Sequence, residues 1–137
     1  MLQVTEDQSD VVEAFRRMVF NISFGVRDDH AKNHAFTMNE EGIWHLSPAY
    51  DVMCSRSGVG NGLHRQMAVS GKRSGVDRND IESLAGLFNV KRQLPDTIES
   101  IRQAGKAWPR ICMDLGIDEV RRDDIEDTWE FPGFNLS

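Results

Sequence analysis

The sequence predicts an α+β fold that is mainly α-helical, and three observations carry that prediction. Apolar residues recur at three- and four-residue intervals near the start and through the second half of the chain. Two short β-prone runs flank a single turn carrying Asn and Gly near residue 40. Pro95 and Gly116 fall where a helix would begin and end. At 137 residues, with 39% apolar and 28% charged residues, the chain reads as a single domain spanning 1–137 with ordinary globular composition. No apolar run approaches the ~20 residues of a membrane span, and Met1–Asp10 is too polar and acidic for a secretory leader. A net charge of −6 argues against unassisted nucleic-acid binding. Cys54 and Cys112 lie far apart in no metal spacing and read as free thiols in a reducing cytosol, with a bond between them as the alternative. The expectation is a soluble, cytoplasmic domain.

Taken in order, Thr5-Glu6-Asp7-Gln8 has capping-box spacing. Behind it Val11, Phe15, Met18, Val19, Ile22 and Val26 trace one apolar face, which predicts a helix at about 6–23. Gly25 offers an exit. His34–Met38 and Ile43–Leu46 are the strands of a hairpin turned by Asn39-Glu40-Glu41-Gly42, and Ser47-Pro48 ends the second strand. Residues 55–78 read as a long loop; its Gly58, Gly60 and Gly62 suit flexibility better than a phosphate cradle, having no preceding strand and no closing Gly-Lys-Ser/Thr. Asn79 and Glu82 have the spacing of a second capping box, ahead of Ile81, Leu84, Ala85 and Phe88. Pro95 then opens a helix with Ile98, Ile101, Gly105, Trp108, Cys112 and Leu115 on one face, and Pro109 predicts a kink or break. Asp118–Glu130 reads as a solvated final helix and Phe131–Ser137 as a tail.

The chemistry concentrates in Asp28-Asp29-His30-Ala31-Lys32-Asn33 and in Asp51. A hairpin returns the chain on itself, so Asn33 before it and Asp51 after it are expected at one open end. Phosphoryl transfer needs a carboxylate near the attacking hydroxyl, cations on the phosphates and oxygen ligands for those cations. Protein kinases place a catalytic aspartate five residues before a metal-binding asparagine, with a second metal-binding aspartate downstream. Asp28, Asn33 and Asp51 reproduce that spacing. His30 and Lys32 are candidates to face the transferred phosphate. Two alternatives stand beside this one: a structural turn, because Asx residues favour turns, and a zinc site built from His30, His34, His45 and an aspartate, which lacks a standard ligand pattern.

Phe20-Asn21-Ile22, the hexapeptide and Leu46-Ser47-Pro48-Ala49-Tyr50-Asp51-Val52 together resemble the C-terminal kinase domain of HipA-type toxins. Met67–Lys72 and the helical remainder extend the resemblance over nearly the whole chain. It implies a kinase C-lobe-like helical subdomain with a catalytic-loop β-hairpin. The implied activity is that of a bacterial toxin–antitoxin serine/threonine kinase, moving the γ-phosphate of ATP to a protein hydroxyl. On the matching positions, Asp28 would be the catalytic aspartate and Asn33 and Asp51 ligands of Mg²⁺. His30 would stabilise developing charge and Lys32 would contact the nucleotide. The implied partners are a protein substrate and a HipB-like antitoxin, with neither nucleic acid nor membrane.

Family members carry a phosphate-covering loop, a nucleotide-binding lysine and a regulatory serine in an N-terminal lobe, and nothing in this sequence matches those elements. The expectation is therefore either a fragment or degraded gene product, or a chain whose complementary N-terminal kinase lobe comes from a second polypeptide, and the chain alone is expected to be incomplete. The alternatives are a non-catalytic interaction module, or kinase remnant, that binds an antitoxin or the missing lobe, and a phosphoinositide-kinase-like phosphotransferase fragment, because Asp-x-His-x-x-Asn is similar to the motif of those kinases.

Overall fold

A computed structural model describes residues 2–55 and 64–136. The glycine-rich stretch with Gly58, Gly60 and Gly62 lies outside those residues. The fold is mainly helical α+β, with one two-stranded antiparallel sheet among the described residues.

One helical turn, α1 (Leu2–Thr5), precedes the long α2 (Gln8–Ser23). The cap of α2 is Asp7, whose carboxylate accepts the Ser9 N–H at 2.8 Å, and not the expected Thr5–Gln8 box. The reason is backbone geometry. Thr5 closes α1, and Glu6 at φ 54° breaks the path, so the helix restarts at Asp7. Val11, Phe15, Val19 and Ile22 form the buried stripe of α2. That stripe packs on α4 (Leu94–Leu115), from which Leu94, Ile98 and Ile101 join the same core.

Pro95 lies in the first turn of α4. Gly116 ends the helix in the left-handed region, φ 68°, donating its N–H to the carbonyls of Cys112 and Met113. Of the kink or break expected at Pro109, the break does not occur, and α4 is continuous through it. Proline costs the helix one bond, to the carbonyl of Gly105. Packing on both sides outweighs that loss, with Gly105 and Cys112 both buried. A Cβ at position 105 would fall 2.5 Å from the Leu136 side chain, which shows how closely residues 105 and 136 meet. Leu115, expected on the buried stripe, is 70% exposed because the last turn of α4 extends past the core.

Between these elements, β1 (Phe36–Met38) and β2 (Trp44–Leu46) pair with Phe36 opposite Leu46 and Met38 opposite Trp44. The Asn39 side chain accepts the N–H groups of Glu41 and Ile43 and so shapes the turn. The described end of the long loop is pinned, with Val69 and Val76 in the core and Val69 bridged to Lys72. α3 (Arg78–Leu87) is capped by a reciprocal Asp77/Asp80 box, two residues before the expected Asn79 and Glu82. The Lys72 ammonium reaches both of these aspartates, at 3.0 and 2.6 Å, and favours that earlier start. Phe88, expected on the buried face, is the exposed C-cap residue of α3.

α5 (Glu119–Glu126) is capped by Asp118 and stops short of Glu130, because the chain turns inward at the buried Thr128. The expected tail is docked. Phe131 and Phe134 pack against the core, and Arg102 donates to the Asn135 carbonyl at 2.8 Å. Cys54 and Cys112 are free thiols, and burial pushes the Cys112 thiol up.

Candidate active site

The hexapeptide leaves α2 through Gly25, whose φ of 69° suits glycine and whose missing Cβ admits Thr128 within 2.5 Å. Arg27 turns inward, fully buried, and donates to the Thr128 carbonyl at 2.6 Å and to Glu130 at 3.0 Å. Arg65 meets the same carboxylate from the other side at 3.3 Å. Its guanidinium also takes the Asn21 and Ile22 carbonyls, at 3.0 and 2.8 Å, so a side chain satisfies acceptors left over at the end of α2. Burial pulls the Arg65 pKa down, and Glu130 opposes that effect.

Asp28 follows immediately and is exposed. Only its backbone is fixed: the N–H donates to Ser55 Oγ at 3.0 Å, and the carbonyl accepts from Asn33 Nδ2 at 3.1 Å. Residues Ala31–Asn33 form a 3-10 turn, and the Asn33 N–H closes onto the His30 carbonyl. Asp29 Oδ1 contacts His34 Nε2 at 2.9 Å, while Tyr50 donates its hydroxyl to the Lys32 carbonyl at 2.6 Å. That last bond ties the segment after β2 to the turn before β1. Asp51 itself holds a left-handed backbone, φ 54°, a conformation that Asp tolerates better than most residues.

These contacts surround a cavity of about 440 Å³. Asp29, Asn33, His34, Tyr50 and Asp51 line one side, and residues of α2 and α4, among them Arg17 and Thr97, line the other. Arg17 is held by Glu13 at 2.9 Å and by the Ser47 carbonyl at 2.8 Å. Thr97 presents a buried hydroxyl with no hydrogen-bond partner among the described residues. Asn33 and Asp51, separated along the chain by the hairpin, thus share a cavity. Asp28, His30 and Lys32 are not among its walls. A second groove, about 960 Å³ and lined by Trp108 and Trp129, shares Phe20, Val26, Val52 and Ala104 with the first.

The three histidines considered for zinc do not converge: His34 pairs with Asp29, and His45 lies 3.5 Å from Asp10, beyond good hydrogen-bond length. His30 Nδ1 is buried without a partner among the described residues. Sequence reasoning missed Asp29, His34 and Arg17 at the cavity. The doubled aspartate was the available signal for Asp29. For the Arg27–Glu130–Arg65 knot there was none, because its members are more than 30 residues apart.

A family model, the HipA-like C-terminal domain, matches residues 1–108. The chain belongs to the HipA-like C-terminal domain family. No curated protein and no solved structure matches it. Every wall of the smaller cavity lies within the matched span of this HipA-like domain, whereas the groove takes Ile111, Arg121, Ile125 and Trp129 from beyond it.

Proposed function

We propose that this HipA-like domain is the C-terminal catalytic part of a serine/threonine kinase of a toxin–antitoxin system. It would pass the γ-phosphate of ATP to a protein hydroxyl, with the nucleotide-gripping groups supplied by a complementary N-terminal lobe. The observation that supports this most is the convergence of Asn33 and Asp51 on one cavity, five and 23 residues after Asp28.

The donor chemistry fits Mg²⁺, which takes hard oxygens and few protein ligands. The Asn33 NH₂ is engaged by the Asp28 carbonyl, which leaves Oδ1 as the ligating atom, and the exposed Asp51 adds a carboxylate. Asn33 and Asp51 would hold the ion, which when bound supplies charge neutralisation on the phosphates. Asp28 has both backbone polar groups tied and its carboxylate in solvent, so it can orient an acceptor hydroxyl and take its proton. His30 and Lys32, on the same loop, would face the transferred charge.

The exposed Tyr50, Val52 and Met53 beside the cavity would give a complementary N-terminal lobe or a HipB-like antitoxin an apolar surface to meet. The same surface favours a second reading, in which the domain binds such a partner without catalysing transfer. Radiolabelled phosphoryl transfer by the chain joined to a complementary N-terminal lobe separates the two. Asp28→Ala is expected to cost about 10²–10⁴-fold in rate. Full activity in that variant would overturn the assignment.

A further inference from the structure

Asp7 and Asp10 occupy the N-cap and the first turn of α2, and β2 brings His45 beside them. One potential ligand atom from each of the three lies within 4.8 Å of the other two. Aspartates at a helix start ordinarily serve as caps or complement the helix dipole. Asp7 does so, and the Ser9 N–H occupies its Oδ1. Asp10 does not. The residue is only 9% exposed, and its Oδ2 is buried with no hydrogen-bond donor among the described residues.

That orphaned oxygen faces His45 Nδ1 across 3.5 Å, long for a hydrogen bond and too narrow for a bridging water. Leaving a buried acceptor unmet is costly, and native structures rarely do it. The spacing suits another arrangement. Two ligands bonded at zinc distances on a tetrahedral centre stand about 3.3 Å apart. Two carboxylates and a neutral imidazole carry two negative charges, which a divalent cation cancels. A nitrogen ligand beside carboxylate oxygens selects zinc and its first-row neighbours over Mg²⁺, which prefers oxygen alone. His45 is 44% exposed at its side chain, so an ion has a way in.

We propose that Asp7, Asp10 and His45 form a divalent transition-metal site of the Zn²⁺ class, with water completing the coordination. The ion joins the return strand of the hairpin to the first turn of α2. This site stands apart from the cavity at Asn33 and Asp51 and does not depend on phosphoryl transfer.

The test uses the chelator-stripped full chain, titrated with Zn²⁺ by calorimetry and with Co²⁺ by visible absorption. The expected result is one ion per chain, with Co²⁺ bands of a four-coordinate nitrogen–oxygen site. His45→Ala and Asp10→Asn weaken binding by at least about tenfold, the order to which even outer-shell partners contribute. Asp7→Asn, at a more exposed position and checked for folding by circular dichroism, weakens it as well. His34→Ala leaves it unchanged. No saturable binding to the parent chain would overturn the proposal. So would binding that survives both His45→Ala and Asp7→Asn, binding lost in His34→Ala instead, or displacement of Zn²⁺ by millimolar Mg²⁺.

Discussion

Arg27 and Asp28 are neighbours in the chain with opposite fates. Arg27 is buried and shares Glu130 with Arg65, and the terminal nitrogens of both guanidinium groups reach fixed partners, although neither Nε has one among the described residues. Asp28 is exposed and fixed only through its backbone. One residue carries structure and the next leaves its carboxylate in solvent. The buried knot joins the end of α2, the segment at Arg65 and the 128–130 turn, so that the exposed loop needs few contacts of its own.

The largest expected effect breaks the rigid side. Glu130→Ala leaves two buried guanidinium groups uncompensated and should cost about 3–5 kcal/mol in urea denaturation. Gly25→Ala comes next. It forces a left-handed backbone and drives a Cβ against Thr128, for about 2–4 kcal/mol. Asn33→Ala, which removes the side-chain hydrogen bond to the Asp28 carbonyl, should cost about 0.5–1.5 kcal/mol. The exposed Asp28→Ala should cost less than about 0.5 kcal/mol, so a loss of phosphoryl transfer in Asp28→Ala would report on chemistry and not on folding. Asp51→Gly sharpens the contrast further. It relieves a positive φ and should stabilise by up to about 1 kcal/mol while abolishing transfer.

The smallest effect concerns Lys72 and the α3 cap. Lys72 holds the Asp77 carboxyl below its usual range, through their hydrogen bond first. A depressed carboxylate stabilises the fold above its unfolded pKa, and that contribution is lost as pH falls through the folded value. The thermal midpoint should therefore drop between about pH 5 and 3, and Lys72→Met should flatten that part of the curve.

Much of this was legible in the sequence wherever local rules decide. The apolar stripes of α2 and α4, the hairpin around Asn39–Gly42 and the Gly116 cap all follow from short-range periodicity and turn chemistry. So did the meeting of Asn33 and Asp51, which needs only a hairpin. The misses have long-range causes. Pro109 sits in an unbroken helix because Gly105 packs against Leu136, 31 residues away in sequence, and the supposed tail docks because Phe131 and Phe134 find a core built by other segments. Which of Asp28 and Asp29 faces the cavity is decided by the pairing of Asp29 with His34, and spacing alone does not register that contact.

Ser55 has a consequence for the independence of the site. Its N–H meets the Gly25 carbonyl at 3.0 Å, and its Oγ takes the N–H groups of Arg27 and Asp28. The chain from Gly25 to Ser55 is thereby a closed loop fastened at its own neck, with the hexapeptide, the hairpin and Asp51 inside. For a loop of this length, closure costs little more than for one half as long. The loop can therefore behave as a cassette whose internal spacing survives drift in the surrounding helices, provided that its clasp is kept.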